Sequence, residues 1–210
     1  QEDIVIKKIE KNVTSKILTT LKGMMKKSYK EYLDFYKEFG KVIKEGVEVD
    51  PANKDKIKDL LLFESSKTKA GEYVSLNEYV DRMQPEQKDI YFLTGDSRAT
   101  IDNSPHLEVF KKKDVEVLFM TEPVDEFILP GFGEYSDKTL KSIAQGDIDL
   151  GTEEEKKIAE EQKKEASGKY KNLIEKIQDT LKEDVKEVRL SDRLTDSPSC
   201  LVTDEGDINP

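Results

Sequence analysis

Cysteine, histidine, tryptophan and long hydrophobic runs are scarce or missing in this chain of 210 residues. Cys200 is the single cysteine and His106 the single histidine, and there is no tryptophan. One cysteine cannot form an internal disulfide, which predicts a reducing compartment and a cytoplasmic location. Because no apolar run approaches the roughly 20 residues of a membrane-spanning helix, we expect no membrane association.

The motifs of common cofactor and metal sites are also missing. The sequence has no GxGxxG, Walker A, HExxH or paired CxxC motif. Gly95 follows a predicted strand, but a lone glycine turn is weak evidence for phosphate binding. His106 has no ligand partners at a metal-binding spacing, so we expect an exposed first-turn histidine, and Cys200 a half-buried small residue. The sequence therefore predicts neither a cofactor nor a metal in this chain.

Charge is abundant and unevenly spread. Charged residues make up 38% of the chain, hydrophobic residues 35%, and the net charge is −10. The first 45 residues hold eleven lysines and seven acids, a balance of +4, on an otherwise acidic chain. They contain no arginine-rich or aromatic-interleaved basic motif, so we expect a solvated helix face and no nucleic-acid partner.

The stretch Asp89–Phe127 has the pattern of strand, helix, strand, helix. Residues 90–93 and 115–120 are unbroken apolar runs of the kind that form strands buried on both faces. Between them, Ser104-Pro105 has the form of an N-cap followed by a first-turn proline. Two strands joined by a helical crossover run parallel, which predicts a βαβ unit.

Helical patterns precede this unit. Three- and four-residue apolar spacing predicts helices over 3–26 and 28–45, the second with Tyr29, Tyr32, Tyr36 and Phe39 on one packing face. A helix from residue 51 to 62 and a short capped helix at 75–82 are also predicted. No strand is expected before Ile90.

The remainder of the chain is predicted to be more mixed. Residues 128–133, rich in glycine and proline, are expected to end a helix and form an irregular apolar segment. A strand is expected near 138–143, a helix over 152–183 that Ser167-Gly168 could divide, and strands at 185–190 and 199–203. We place a domain boundary near residue 150. The predicted fold class is α/β: a helical coil (1–83), an α/β/α three-layer unit (84–150), and the incomplete start of an α+β domain (151–210).

Several of these segments resemble the middle domain of the heat shock protein 90 (Hsp90) chaperones, in their bacterial form. The resemblance rests on LLLFESSKT, SLNEYVDRMQPEQKDIYFLTG, SPHLEVFKKKDVEVLFM and PVDEF. RLSDRLTDSPSCLVTDEGD resembles the opening of the family's C-terminal dimerisation domain. The chain starts at Gln1 without methionine, and we expect it to be a fragment of a longer protein.

The resemblance implies a function for that longer protein. It would be a homodimeric, ATP-dependent chaperone that hydrolyses ATP with magnesium, binds unfolded client proteins and works with an Hsp70-type chaperone. Its nucleotide domain and dimerising helices would lie outside this chain, so we expect the fragment to be a monomer without enzymatic activity. Gln1 matches a glutamine of the family's catalytic loop, whose arginine partner would lie upstream.

The resemblance also implies a client-binding site. In bacterial members of the family, an Asp-Glu-aromatic motif contributes to client binding, and Asp125, Glu126 and Phe127 match it. Phe127 stands where tryptophan is common. The neighbouring Ile128 and Phe132 extend the apolar patch, and such patches mark protein interaction sites.

Two other functions fit the same residues. Glu122, Asp125 and Glu126 follow a predicted strand, where α/β enzymes place catalytic or metal-binding carboxylates. Acids at this position also stabilise the start of a helix, so the trio has a structural explanation. A static protein-interaction scaffold is the other alternative.

Overall fold

The computed structural model describes residues 4–148, 150, 151 and 153–204, without the side chains of residues 153–156, 159, 160 and 162–165. The helices are α1 (Ile4–Lys27), α2 (Tyr29–Val49), α3 (Lys54–Lys58), α4 (Leu76–Asp81), α5 (Arg98–Asp102), α6 (Glu108–Lys112), α7 (Pro123–Phe132) and α8 (Glu153–Leu181). A 3-10 turn spans Pro105–Leu107. The strands are β1 (Leu62–Ser65), β2 (Val74–Ser75), β3 (Ile90–Thr94), β4 (Leu118–Met120), β5 (Glu134–Tyr135) and β6 (Lys138–Ser142).

The chain divides into two compact units, which we describe separately. The first comprises residues 1–102 and 116–142, and the second residues 103–115 and 143–210. The domain boundary near residue 150 stays a prediction. None of the described helices has the length and apolarity needed to cross a bilayer.

A mixed sheet forms the centre of the first unit, with strand order β2-β1-β4-β3-β6-β5. β3 runs parallel to both β4 and β6, and Phe92 pairs with Leu118 on the β4 side. The flanking β1, β2 and β5 pair antiparallel. The parallel βαβ unit and the α/β fold class are confirmed. Gln1 and its predicted catalytic-loop role lie outside the described residues.

Two residues of the predicted tyrosine stripe of α2 pack as expected, whereas Tyr29 is 39% exposed. Tyr32 and Tyr36 are buried, and their hydroxyl groups donate to the main-chain carbonyls of Leu60 and Leu62. These bonds satisfy polar groups that would otherwise be costly to bury. They tie α2 to the start of β1. Phe39, which we had placed on the same face, is instead 51% exposed.

Residues 115–117 lie next to β4 but are not part of the strand, contrary to the prediction. The carbonyl of Glu116 accepts a 2.7 Å hydrogen bond from the Tyr79 hydroxyl, and its buried carboxylate accepts bonds of 2.8 and 3.1 Å from Arg82. The Val117 amide donates to the Ser66 hydroxyl. Side chains thus take over part of the hydrogen bonds that a strand would make to its neighbour, while the Val117 carbonyl still accepts from the Ser66 amide.

The helix predicted over 51–62 is too long for an identifiable reason, whereas α1 forms where a helix was predicted. The helix expected over 51–62 is only α3, because the run Leu60–Phe63 enters the sheet through β1. A short apolar run fits a buried strand as well as the end of a helix. In α1, the expected apolar stripe is mostly unburied: Ile6, Ile9, Val13 and Ile17 are at least half exposed, and Leu21 is buried.

The second unit contains α6 and α8. α8 continues through Ser167-Gly168, whereas residues 185–190 and 199–203 form no strand beyond one bridge from Thr203 to Gln145. Both strand predictions are therefore wrong. Buried Arg193 donates to the carbonyls of Ile143 and Gly146 and holds that turn by side-chain bonds.

Glu108, the first residue of α6, closes a loop of the second unit. Its carboxylate accepts hydrogen bonds from the main-chain amides of Thr195, Asp196 and Ser197, at 2.6, 2.9 and 3.0 Å. It also accepts a hydrogen bond from the Ser197 hydroxyl. These donors favour the ionised form and lower the pKa of Glu108 to about 2.

This carboxylate predicts an acid-sensitive contact. Because the folded pKa lies below the ordinary value of about 4.3, the stabilisation is present above that pH and is lost as the pH falls towards 2. The urea midpoint of the native chain should therefore exceed that of Glu108→Gln at pH 6, and the gap should close towards pH 2. A gap independent of pH would contradict this.

Candidate functional site

The predicted site lies on α7, and its first turn is set by two acids. The Asp125 amide donates 2.8 Å to the Glu122 carbonyl, and the Asp125 carboxylate accepts 3.0 Å from the Glu122 amide. Pro123 occupies the first turn, where its missing N–H costs nothing. Asp125 therefore caps the helix, and its side chain is only 1% exposed.

Lys44 of α2 neutralises these acids. Its ammonium nitrogen lies 2.7 Å from Asp125 Oδ1 and 2.8 Å from Glu122 Oε2, and Lys44 is itself buried. Lys41 stands 3.6 Å from the other oxygen of Glu122, which brings the four charges to balance. Burial raises the pKa of the Asp125 carboxyl, and the Lys44 ammonium partly offsets that rise. The cluster fixes the start of α7 against α2.

The other end of α7 is held by lysines of α3. Lys54 donates 2.6 Å to the carbonyl of Gly131, in the last turn. Lys58 donates a 2.8 Å hydrogen bond to the main-chain carbonyl of Glu134 and lies over the Phe132 ring, 5.1 Å from its centroid. Cations at a helix C-terminus satisfy its last carbonyls and complement its dipole.

α7 is longer than the sequence suggested. We predicted an irregular segment over 128–133, but the helix continues through Pro130 and Gly131 to Phe132. Ile128 and Phe132 stand one helical turn apart and are both buried in the core cluster. This packing and the lysine cap outweigh the helix-breaking tendency of proline in the last turn.

The structure places the five predicted client-contact residues on two faces of α7. Glu126 is exposed and Phe127 is 52% exposed. Asp125, Ile128 and Phe132 are buried. For these three we revise the expectation from direct contact to support of the helix, because a client cannot reach them while α7 is folded.

The residues weighed for other chemistry have structural roles. The Gly95 amide donates to the Met120 carbonyl, so it is not available to a phosphate, and a Cβ at Gly95 would lie 2.9 Å from Ile101. His106 is half-buried rather than exposed, and burial lowers its pKa. Cys200 is half-buried as expected, and burial raises the pKa of its thiol.

The geometry does not support a catalytic or metal-binding role for the carboxylates of Glu122, Asp125 and Glu126. Glu122 and Asp125 are engaged by Lys44 and by helix capping, while Glu126 points away from them as an exposed side chain. Among the described residues, no group of three or more His, Cys, Asp or Glu side chains is placed to hold a metal ion.

A cavity of 240 Å³ opens beside the Lys44 cluster. Lys37, Lys41, Glu64 and Tyr73 contribute to its walls. Because three lysines and three carboxylates line it, the cavity does not favour an anion over a cation.

Sequence reasoning missed Lys44 and Lys54. A usable signal existed for Lys44, because it follows Tyr36 and Gly40 at four-residue steps and precedes Val47 by three, all on the buried face of α2. A lysine at a core position predicts a buried acid partner. Lys54 has no comparable signal, since its partner is a main-chain carbonyl.

The family described as "Hsp90 protein" matches residues 1–209. The chain belongs to the Hsp90 family. Chaperone protein HtpG of Geobacter sulfurreducens is 56% identical across the whole chain, and HtpG of Bdellovibrio bacteriovorus is 46% identical over 99% of it. This Hsp90-family chain spans about a third of the length of these relatives.

The Lys44 cluster yields a stability prediction. Lys44→Met leaves the Asp125 charge buried without its partner and should lower the free energy of unfolding by about 3 kcal/mol. Lys44→Met/Asp125→Asn removes both charges and keeps an acceptor for the helix cap. The double variant should therefore lose less free energy of unfolding than the two single variants lose together, by at least ~1 kcal/mol. Urea unfolding of Lys44→Met, Asp125→Asn and the double variant measures the coupling, and additive losses would show that the pair is not coupled.

Proposed function

We propose that this chain is the client-contacting and relay segment of an ATP-driven molecular chaperone. Membership of the Hsp90 family supports a chaperone role, as does the similarity to proteins named chaperone protein HtpG. The main structural support is Phe127, whose aromatic side chain is 52% exposed on a helix that is fixed at both ends.

The exposed face of α7 suits varied, weakly bound clients. Phe127 offers apolar area to any unfolded chain, and Glu126 beside it favours clients with nearby positive charge. Phenylalanine lacks the indole N–H of tryptophan, so the contact rests on apolar burial without a donated hydrogen bond. Because Asp125, Ile128 and Phe132 hold the helix, a force on α7 passes directly to α2 and the core.

We propose that nucleotide binding, dimerisation and cooperation with other chaperones are properties of the longer protein. ATP and magnesium bind in a domain outside this chain, and ATP hydrolysis there drives the movement that this segment relays. The parent is a cytoplasmic homodimer, joined through C-terminal helices, and cooperates with an Hsp70-type chaperone. The chain itself has no catalytic activity.

Client contact at Phe127 can be tested by titrating a labelled, permanently unfolded protein into this chain. Phe127→Ser should weaken binding about tenfold, or ~1.4 kcal/mol, because it removes most of the apolar contact area. The thermal melt should not change, since the side chain is exposed. Leu173→Ser, a substitution on α8 at a residue 55% exposed, is the matched control and should bind as the native chain does.

Two results would contradict the proposal. Equal binding by the native chain and Phe127→Ser would move the client surface away from α7. Absence of binding to any unfolded chain, together with tight binding to one folded protein, would favour a scaffold role.

A further inference from the structure

A second apolar stripe lies on the outward side of α2, in the first unit. It consists of Phe35, Phe39, Val42 and Val49, which follow one another at helical spacings of four, three and seven residues. Phe39, Val42 and Val49 are 51%, 64% and 71% exposed. We call these four residues the outer α2 stripe.

The outer α2 stripe is anchored at one end. Phe35 packs partly against the buried cluster that contains Tyr32 and Tyr36. The Phe39 ring stacks on Phe35 with 4.9 Å between centroids and 25° between planes. Since Phe35 packs partly against the core, this stacking contact positions the exposed Phe39 ring on the helix surface.

A row of glutamates borders this stripe. Glu31, Glu38 and Glu45 recur at seven-residue intervals, and all three are exposed. Each is three or four residues from Phe35, Val42 or Val49, so the row runs alongside the stripe on the helix surface. The opposite border is the buried face of α2. The accessible surface is therefore apolar with a negative edge.

We propose that the outer α2 stripe docks a basic amphipathic helical segment of a partner polypeptide. Apolar side chains at i, i+3/i+4 and i+7 would lie on Phe39, Val42 and Val49, and lysines or arginines beside them would face the glutamates. From Phe35 to Val49 the stripe is about 21 Å long, which accommodates roughly four turns of a partner helix. Charge complementarity sets the partner's sign and orientation more than its affinity.

This surface is separate from the α7 site. It lies on α2, uses none of Glu126, Phe127 or their supporting residues, and selects a charged helix rather than an extended unfolded chain. The proposal therefore does not depend on client contact at Phe127.

A designed probe can test it with the whole chain. The probe is a fluorescein-labelled 18-residue amphipathic peptide with leucines on one face and lysines beside them. A scrambled peptide of the same composition has no apolar face, and a third peptide has glutamate for each lysine. The native chain should bind the first at least tenfold more tightly than either other peptide, and 0.5 M salt should remove most of the preference over the glutamate peptide.

Two matched variants locate the binding. Phe39→Ser should weaken binding of the basic peptide about tenfold, whereas Phe127→Ser, equally exposed on another helix, should not. For the unfolded protein used to test α7, the order of the two variants should reverse. A reversal places two independent surfaces on one chain.

The glutamate row has its own control. Replacing all three glutamates by glutamine should weaken binding about five- to tenfold at low salt, with the thermal melt unchanged. Removing three exposed acids elsewhere should change the affinity for the basic peptide less than twofold. Suitable changes are Glu86→Gln, Asp96→Asn and Asp184→Asn.

Four outcomes would overturn the proposal. Three of them are equal binding of the basic and acidic peptides, unchanged peptide binding by Phe39→Ser, and an equal loss of peptide binding in the two charge-removal variants. A fourth is concentration-dependent dimerisation that Phe39→Ser abolishes, since the stripe would then be covered by a second copy of this chain.

Discussion

A buried lysine sets the geometry on which the candidate site depends. Lys44 reaches from the packed face of α2 to Asp125 and Glu122 at the start of α7. An ammonium group removed from water is costly unless it is paired, so α7 is favoured in the register that brings both acids to it. Lys54 and Lys58 fix the other end of the helix. Between these contacts, Ile128 and Phe132 turn inward and Phe127 turns out.

This arrangement separates support from contact. Buried Asp125, Ile128 and Phe132 serve the fold, while Phe127 and Glu126 are the parts that another molecule can touch. A rigid helix presenting one large apolar side chain loses little entropy on binding, yet it imposes no demanding shape on its partner. Both properties suit a surface that accepts many unfolded sequences.

The predictable parts of the fold were those with several agreeing signals. β3 and β4 combine apolar runs, a capped crossover and turn residues, and the structure pairs them in parallel. β1 was missed because Leu60–Phe63 fits a helix end as well as a strand, and partners distant in sequence decide between them. The motif identified the helix that carries the candidate site. It could not separate buried Asp125 from exposed Phe127, because that division depends on Lys44, eighty-one residues upstream of Asp125.

Amide hydrogen exchange along α7 tests most directly whether Lys44 holds the site. In the native chain, the amides of Leu129 and Phe132 should exchange as slowly as those in the buried part of α2. In Lys44→Met, α7 should exchange faster by one to two orders of magnitude while β3 keeps its protection, because the helix loses its anchor before the sheet opens. Equal exchange of α7 in both proteins would contradict the account.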